Sequence, residues 1–322
     1  LRIDGGRTGL PVYDPTESVP TLDPVLHQVP LENVVFDTFD GRFVPLPEAS
    51  SSQIARLRDA IQPIYDPQYD GPEDGAWLRE DDLVIGYVAE DEAYAYPIKM
   101  LNLHEILNDF IDGVPVLVSY CPLCASGGVY VRRGPGSESL VFGNTSALYE
   151  NDLVMFDHLT GSYWYQVEGK AIAGTLSGAR LELLPSLTVP WKTWRVLYPE
   201  TRVLSRDQGF ARSFSYDRDP FSWYPDGVDE GRFPFPLSVK RVDDRIRAST
   251  VVLTVRPRSD GTEKAYSLER ANPAVINDVL DGAPVVVFVR PGPVGAAYSP
   301  ILEDGRRLTF GTADAGSFRD IE

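Results

Sequence analysis

A pattern that recurs within the chain constrains its fold more tightly than its composition does. The segments Ala95-Tyr96-Pro97, Asn108-Asp109, Gly113-Val114-Pro115-Val116 and Pro122 return as Ala265-Tyr266-Ser267, Asn277-Asp278, Gly282-Ala283-Pro284-Val285 and Pro291. Leu140-Val141-Phe142-Gly143 likewise returns as Leu308-Thr309-Phe310-Gly311, and the offset stays at about 168 to 170 residues throughout. Similarity held at one spacing over so many elements marks two copies of a single supersecondary unit.

In the first copy Met100, Leu103, Leu107, Phe110 and Ile111 recur at spacings of three and four, which predicts one apolar helix face closed by Asn108-Asp109 and Gly113. Residues 84–88, 114–120, 129–132 and 140–143 are apolar or β-branched and read as strands. The expected fold is therefore α+β and β-rich, two pseudo-repeated strand-helix-strand-hairpin units with long ordered loops. The helices should start after Tyr96 and Tyr266, with Pro273 in the first turn of the second. Residues 1–80 read as a Pro-rich arm with one helix near residues 51–61, where a Ser run offers an N-cap. Residues 81–184 form the first unit, 185–249 an aromatic-rich connection and 250–322 a second unit that looks cut short. A longer polypeptide, a homo-oligomer or a partner strand at that C-terminal edge is the expectation for the missing part.

Reactive groups are scarce. With 322 residues the chain can bury its cores without disulfide staples, and it holds only two Cys, two Met and three His. Both cysteines fall in Tyr120-Cys121-Pro122-Leu123-Cys124 at the end of a predicted buried strand. Thiols at this spacing form a strained disulfide, grip a soft metal or shuttle electrons. A thioredoxin-type centre would need the motif to open a helix, but Ala125-Ser126-Gly127-Gly128 predicts a turn into a strand. No His follows Cys124, so c-type haem is excluded.

His104 shares the predicted helix face with Met100, Leu107 and Ile111, a position where a lone histidine is usually structural. The repeat changes that weighting, because His104 falls on Pro273, Cys121 on Arg290 and Cys124 on Pro293 in the second copy. All three reactive groups are lost while the framework stays, which points to a shared site. Met155 or His158 completes it: a Cys₂His site with Met155 favours copper, and with His158 it approaches the zinc set. The plainer alternatives make Met155 a core filler and His158 an exposed residue. Glu105, Asp109 and Asp157 are nearby carboxylates able to orient an imidazole or act as bases, although Asp109 reads more simply as a helix cap and Asp157 as a turn brace.

No G-x-S-x-G, P-loop or His-Glu-x-x-His occurs, so no nucleotide is expected and no enzymatic reaction is indicated. The net charge of −17 argues against nucleic acid and anionic membrane surfaces as partners. Only five of the 30 basic residues are lysines, a balance that fits either a halophilic origin or a GC-rich genome. No run reaches the roughly 18 apolar residues of a transmembrane helix. A chain that begins at Leu1 fits a mature protein freed of a leader, or a trimmed one.

Read together, Ala95-Tyr96-Pro97, Leu103-x-Glu105-Ile106-x-Asn108-Asp109, Gly113-x-Pro115-Val116, the Cys121 to Cys124 motif, Leu153-Val154-Met155-Phe156-Asp157, Thr160-Gly161-Ser162-x-Trp164 and Val203-Leu204-Ser205-Arg206-Asp207-x-Gly209 are specific. From Asp81 onward the chain resembles the family catalogued as domain of unknown function 3179. The resemblance implies an extracytoplasmic bacterial or archaeal protein, secreted or anchored at the cell surface, with His104, Cys121, Cys124 and Met155 in its characteristic block. It implies no reaction. The leading expectation is a soft-metal protein, copper before zinc, or a thiol redox protein centred on Cys121, Cys124 and His104. A surface structural or interaction protein with a Cys121–Cys124 disulfide is the alternative, and a carbohydrate-binding domain using the Trp-rich middle segment is a third.

Overall fold

The computed structural model describes residues 19–210, 214–233, 235, 237–238, 243–258, 261–313 and 317–321. The chain divides into two compact units, residues 1–186 with 191–242, and residues 187–190 with 243–322. In the first, the largest sheet orders β12 (Lys170–Ala173), β11 (Tyr163–Tyr165), β10 (Asp152–Asp157), β9 (Phe142–Tyr149), β1 (Val34–Asp37) and β2 (Phe43–Pro45), all antiparallel. A second sheet orders β13 (Glu182–Leu184), β8 (Ser126–Val131), β7 (Val114–Cys121) and β6 (Ile106–Ile111). In a third, β4 (Leu83–Ala89) pairs with β5 (Glu92–Pro97), β5 runs parallel to β15 (Arg202–Leu204), and β15 pairs with β3 (Tyr69–Asp70). A strand β14 (Ser186–Pro190) follows β13 in the chain.

The expected α+β, strand-helix-strand architecture is not what forms. Strands in six sheets dominate, with four short α-helices among the described residues: α1 (Ser51–Leu57), α2 (Ile98–His104), α3 (Trp191–Leu197) and α4 (Tyr224–Asp229). The predicted long helix stops at His104, Glu105 turns the backbone at φ 57, and residues 106–111 are the strand β6. Asp112 and Gly113, at φ 50 and 76, form the two-residue turn that folds β6 back on β7. The three-and-four spacing misleads because β6 is buried on both faces. Leu107 and Ile111 enter the cluster of Tyr96, Met100 and Val118, while Ile106 enters that of Leu117, Cys121 and Trp164. A helix would have offered a core only one stripe, whereas this strand, covered on both faces, hides both sets, at about 1.5–3 kcal/mol for each large apolar side chain buried.

In the second unit no helix stands between the described strands. β16 (Val252–Val255) pairs with β17 (Lys264–Ser267), and Pro273 immediately precedes β18 (Ala274–Leu280) rather than opening a helix. β18 continues through β19 (Ala283–Arg290) to β20 (Val294–Tyr298), and β21 (Phe310–Thr312) pairs with β22 (Phe318–Asp320). What recurs is thus a hairpin, a three-stranded meander and a further hairpin. One hydrogen-bonding device recurs with them. Asn108 donates to Phe142 C=O and accepts from Phe142 N–H, both at 2.8 Å, and Asn277 does the same with Phe310 at 2.8 and 3.1 Å. The Asp-Gly turn also repeats, at Asp281 and Gly282 with φ 48 and 77.

Around these sheets α1 forms where the Ser run placed a helix, with Ser50 and Gln53 making a reciprocal capping box. Asp109 is not a helix cap but a strand residue that accepts from the Tyr69 hydroxyl at 2.7 Å. Asp157 does brace its turn, accepting from Thr160 N–H and from Trp164 Nε1–H. No helix among the described residues is long and apolar enough to cross a membrane.

Candidate functional site

The β7–β8 hairpin brings the two cysteines together. Cys121 ends β7 and pairs with Ser126 at the start of β8, and the four intervening residues turn through Ala125 at φ 49. That turn carries Cys124 at the surface and folds its sulfur back over the buried Cys121. Asp152, the first residue of β10, completes the group: two Sγ atoms and a carboxylate oxygen lie within 4.8 Å of one another. Cys124 Sγ–H donates to Asp152 Oδ1 at 3.0 Å and lies 2.8 Å from Ser126 Oγ. The surroundings are fixed by polar contacts. Ser126 donates to Gln166, Gln166 donates to Ser119, and Val167 N–H donates to Asp152 Oδ2, each at about 3 Å.

Burial dominates the electrostatics. It pushes Asp152 up to about 6 and the Cys121 thiol well above its ordinary value, with Cys124 and the Asp152 charge adding to the latter. For Cys124 the hydrogen bond with Cys121 pulls downward, but burial and Asp152 raise it overall. Glu105 is pushed up to about 8 by burial, opposed by an amide from Asn144 and assisted by the Asp152 charge. All four groups are acids, and among the described residues no basic side chain is a cause of any of the four shifts.

Of the five predicted site residues the structure joins only Cys121 and Cys124 in this close group. His104 is fully buried, but its ring nitrogens face elsewhere: Nδ1 lies 2.7 Å from Gln62 C=O and Nε2 2.8 Å from the Tyr216 hydroxyl. Phe210 stacks on its ring and Phe214 meets it edge-on, so the histidine anchors the aromatic segment that follows β15. Met155 lies in the same apolar cluster as Cys121, together with Leu153 and Trp164. His158 stacks on Phe156, its Nε2 lies 3.3 Å from the Tyr65 hydroxyl, and burial pulls it down to about 4.

Residues that the motifs did not single out supply the remainder. In β9 the register with β10 slips between Val154 and Met155, because Thr145 and Ser146 bulge and Ser146 sits at φ 59. Thr145 Oγ1 donates to Val154 C=O and Ser146 Oγ to Leu57 C=O, which locks the bulge and orients Asn144. Asn144 then donates its backbone N–H to Asp59 Oδ1 and its amide to Glu105 Oε2, both at 2.7 Å. The second copy held the signal for these positions too, since it has Ala274 where Glu105 would fall and Thr312 where Asn144 would fall.

The family described as protein of unknown function, DUF3179, matches residues 58–321. No curated protein and no solved structure matches the chain.

Proposed function

We infer the function from the site itself, because the chain belongs to DUF3179, a family of unknown function. The reading is that Cys121, Cys124 and Asp152 bind a divalent cation of borderline softness. The observation that carries it is the convergence within 4.8 Å of two thiols and a carboxyl, with Cys121 and Asp152 buried and no base among the described groups that shift them. Each such acid costs free energy to ionise alone, and a cation removes that cost by turning all three into ligands. Two thiolates and one carboxylate suit zinc better than copper, which prefers an all-sulfur or imidazole-rich set. That order reverses the sequence expectation, for the reason that both nitrogens of His104 sit against other partners. Asn151, next to Asp152, has a buried Oδ1 without a hydrogen-bond partner and is the candidate fourth donor.

A second reading, dithiol redox, draws on the free state of both thiols and on the Cys124 to Asp152 hydrogen bond, which would take up the nucleophile's proton. The raised thiols count against it, since redox-active cysteines are those whose thiolate is favoured. Metal analysis of protein purified without chelator separates the two. The expected result is about one zinc per chain, lost in Cys124→Ser and in Asp152→Asn. A metal-free chain whose two thiols oxidise to a disulfide under mild oxidant would overturn the zinc reading in favour of the redox one.

A further inference from the structure

Beside this centre, within the first unit, lies a cavity of about 340 Å³. Its wall includes Asp59, Gln62, Asn102 and Glu105 on one side and Phe214 and Phe221 on another, and no basic residue is among the described lining. Glu105 is 7% exposed; its Oε2 accepts from Asn144, while its Oε1 has no partner. Both oxygens of Asp59 are already held, Oδ1 by Asn144 N–H and Oδ2 by the Tyr65 hydroxyl at 2.7 Å, so Asp59 supplies charge and Glu105 the open acceptor. One residue, Asn144, thereby fixes both carboxyls at the cavity wall.

We propose that this cavity binds a small organic ammonium ion, its nitrogen at Glu105 Oε1 within the field of Asp59 and its carbon body against Phe214 and Phe221. A buried carboxyl with an open oxygen is costly to ionise, and a ligand that brings a positive charge offsets the cost directly. Burial pushes Asp59 to about 6 and Glu105 to about 8, the condition expected of carboxyls awaiting such a counter-charge. Arg58 is the basic residue that acts on Asp59, and it is not part of the lining. Aromatic walls suit a cation carried on an apolar body, and the volume, near the lower end for ligand pockets, limits that body to a small one. An anion would meet two carboxyls, and a neutral alcohol would gain the hydrogen bond without the charge. The inference rests on the cavity and holds whether or not the sulfur pair takes a metal.

Calorimetric titration of the full chain with benzylammonium, benzyl alcohol and benzoate tests it. The expected result is saturable binding of benzylammonium at one site, at least tenfold weaker binding of the alcohol and none of benzoate. Glu105→Gln, which keeps size and the bond from Asn144, should weaken benzylammonium at least tenfold, and Phe221→Ala, on the half-buried wall, should weaken it severalfold with no burden on the core. Equal affinity for the alcohol, no saturable ammonium binding, or a Glu105→Gln chain that binds as well as the parent would each overturn the proposal. Zinc content measured on the same samples keeps the two readings apart: ammonium binding by a zinc-free chain supports this one alone, and a zinc-loaded chain that ignores benzylammonium overturns this one alone.

Discussion

Glu105 ends α2 in a left-handed conformation that few glutamates adopt, and its carboxyl is buried with one oxygen held by Asn144. Its proton therefore has a consequence for stability. The unfolded chain releases it near 4.5, whereas the folded chain keeps it to about 8. Between those values the folded state holds more protons than the unfolded one, so stability falls as pH rises and levels off above 8. Asp59 and Asp152, raised to about 6, add to the fall only at lower pH. In the presence of chelator, urea unfolding should thus show a loss of about 2–3 kcal/mol between pH 6 and 8, and Glu105→Gln should abolish most of it. The thiols give a second residue-scale outcome. Both are raised, so both are protonated at neutral pH, and zinc binding at pH 7 should release roughly two protons, measurable by calorimetry in buffers of different ionisation enthalpy.

At the scale of elements, the same asparagine device appears in both copies with different burial. Asn108 is 3% exposed and ties β6 to β9 through two bonds, while the bonds of Asn277 lie at the surface. Asn108→Ala should cost about 2–4 kcal/mol by leaving two buried backbone groups unpaired, and Asn277→Ala less than about 1 kcal/mol, because water replaces the amide. Equal costs in urea titrations would contradict this account of the repeat. The elements also show why the spacing over β6 misleads. Apolar residues three and four apart fit a helix, yet the Asp112-Gly113 turn before a β-branched run was a hairpin signal of equal strength. Burial on both faces decided between them, and burial on both faces is a property of neighbours, not of the segment.

Over the whole molecule, the net charge is −17. Ion pairs such as Arg42–Asp40 and Arg245–Asp243 are exposed at both partners and offset little of the repulsion. Raising salt from 0.1 to 1 M shortens the screening length from about 10 to about 3 Å. The melting temperature should accordingly rise by several degrees over that range, and a flat or falling curve would show that self-repulsion is not what limits stability. Duplication operates at this scale as well: the second unit keeps the Asn-Asp step and the Asp-Gly turn and has no counterpart of Cys121, Cys124, Glu105 or Asn144. The groups common to both copies build sheets, and of the reactive groups confined to one, Cys121 and Cys124 enter the candidate site while His104 anchors the aromatic segment after β15.

The sequence by itself determined the duplication, the β-branched runs, the capped helix at Ser50 and the turn that joins Cys121 to Cys124, because each depends on residues within a few positions of one another. It also marked Cys121 and Cys124 as confined to one copy, since two copies in one chain compare themselves, but it marked His104 with them, which the fold holds elsewhere. The tertiary structure alone decided the third member of the group, Asp152, which lies 28 residues from Cys124 and meets it only because β10 and the β7–β8 hairpin share a core. It likewise turned both nitrogens of His104 toward Gln62 and Tyr216, the latter 112 residues away. Spacing along a helix says which side chains share a face, but the partner that face meets is set by how distant strands register and pack, and that information is distributed over the whole chain.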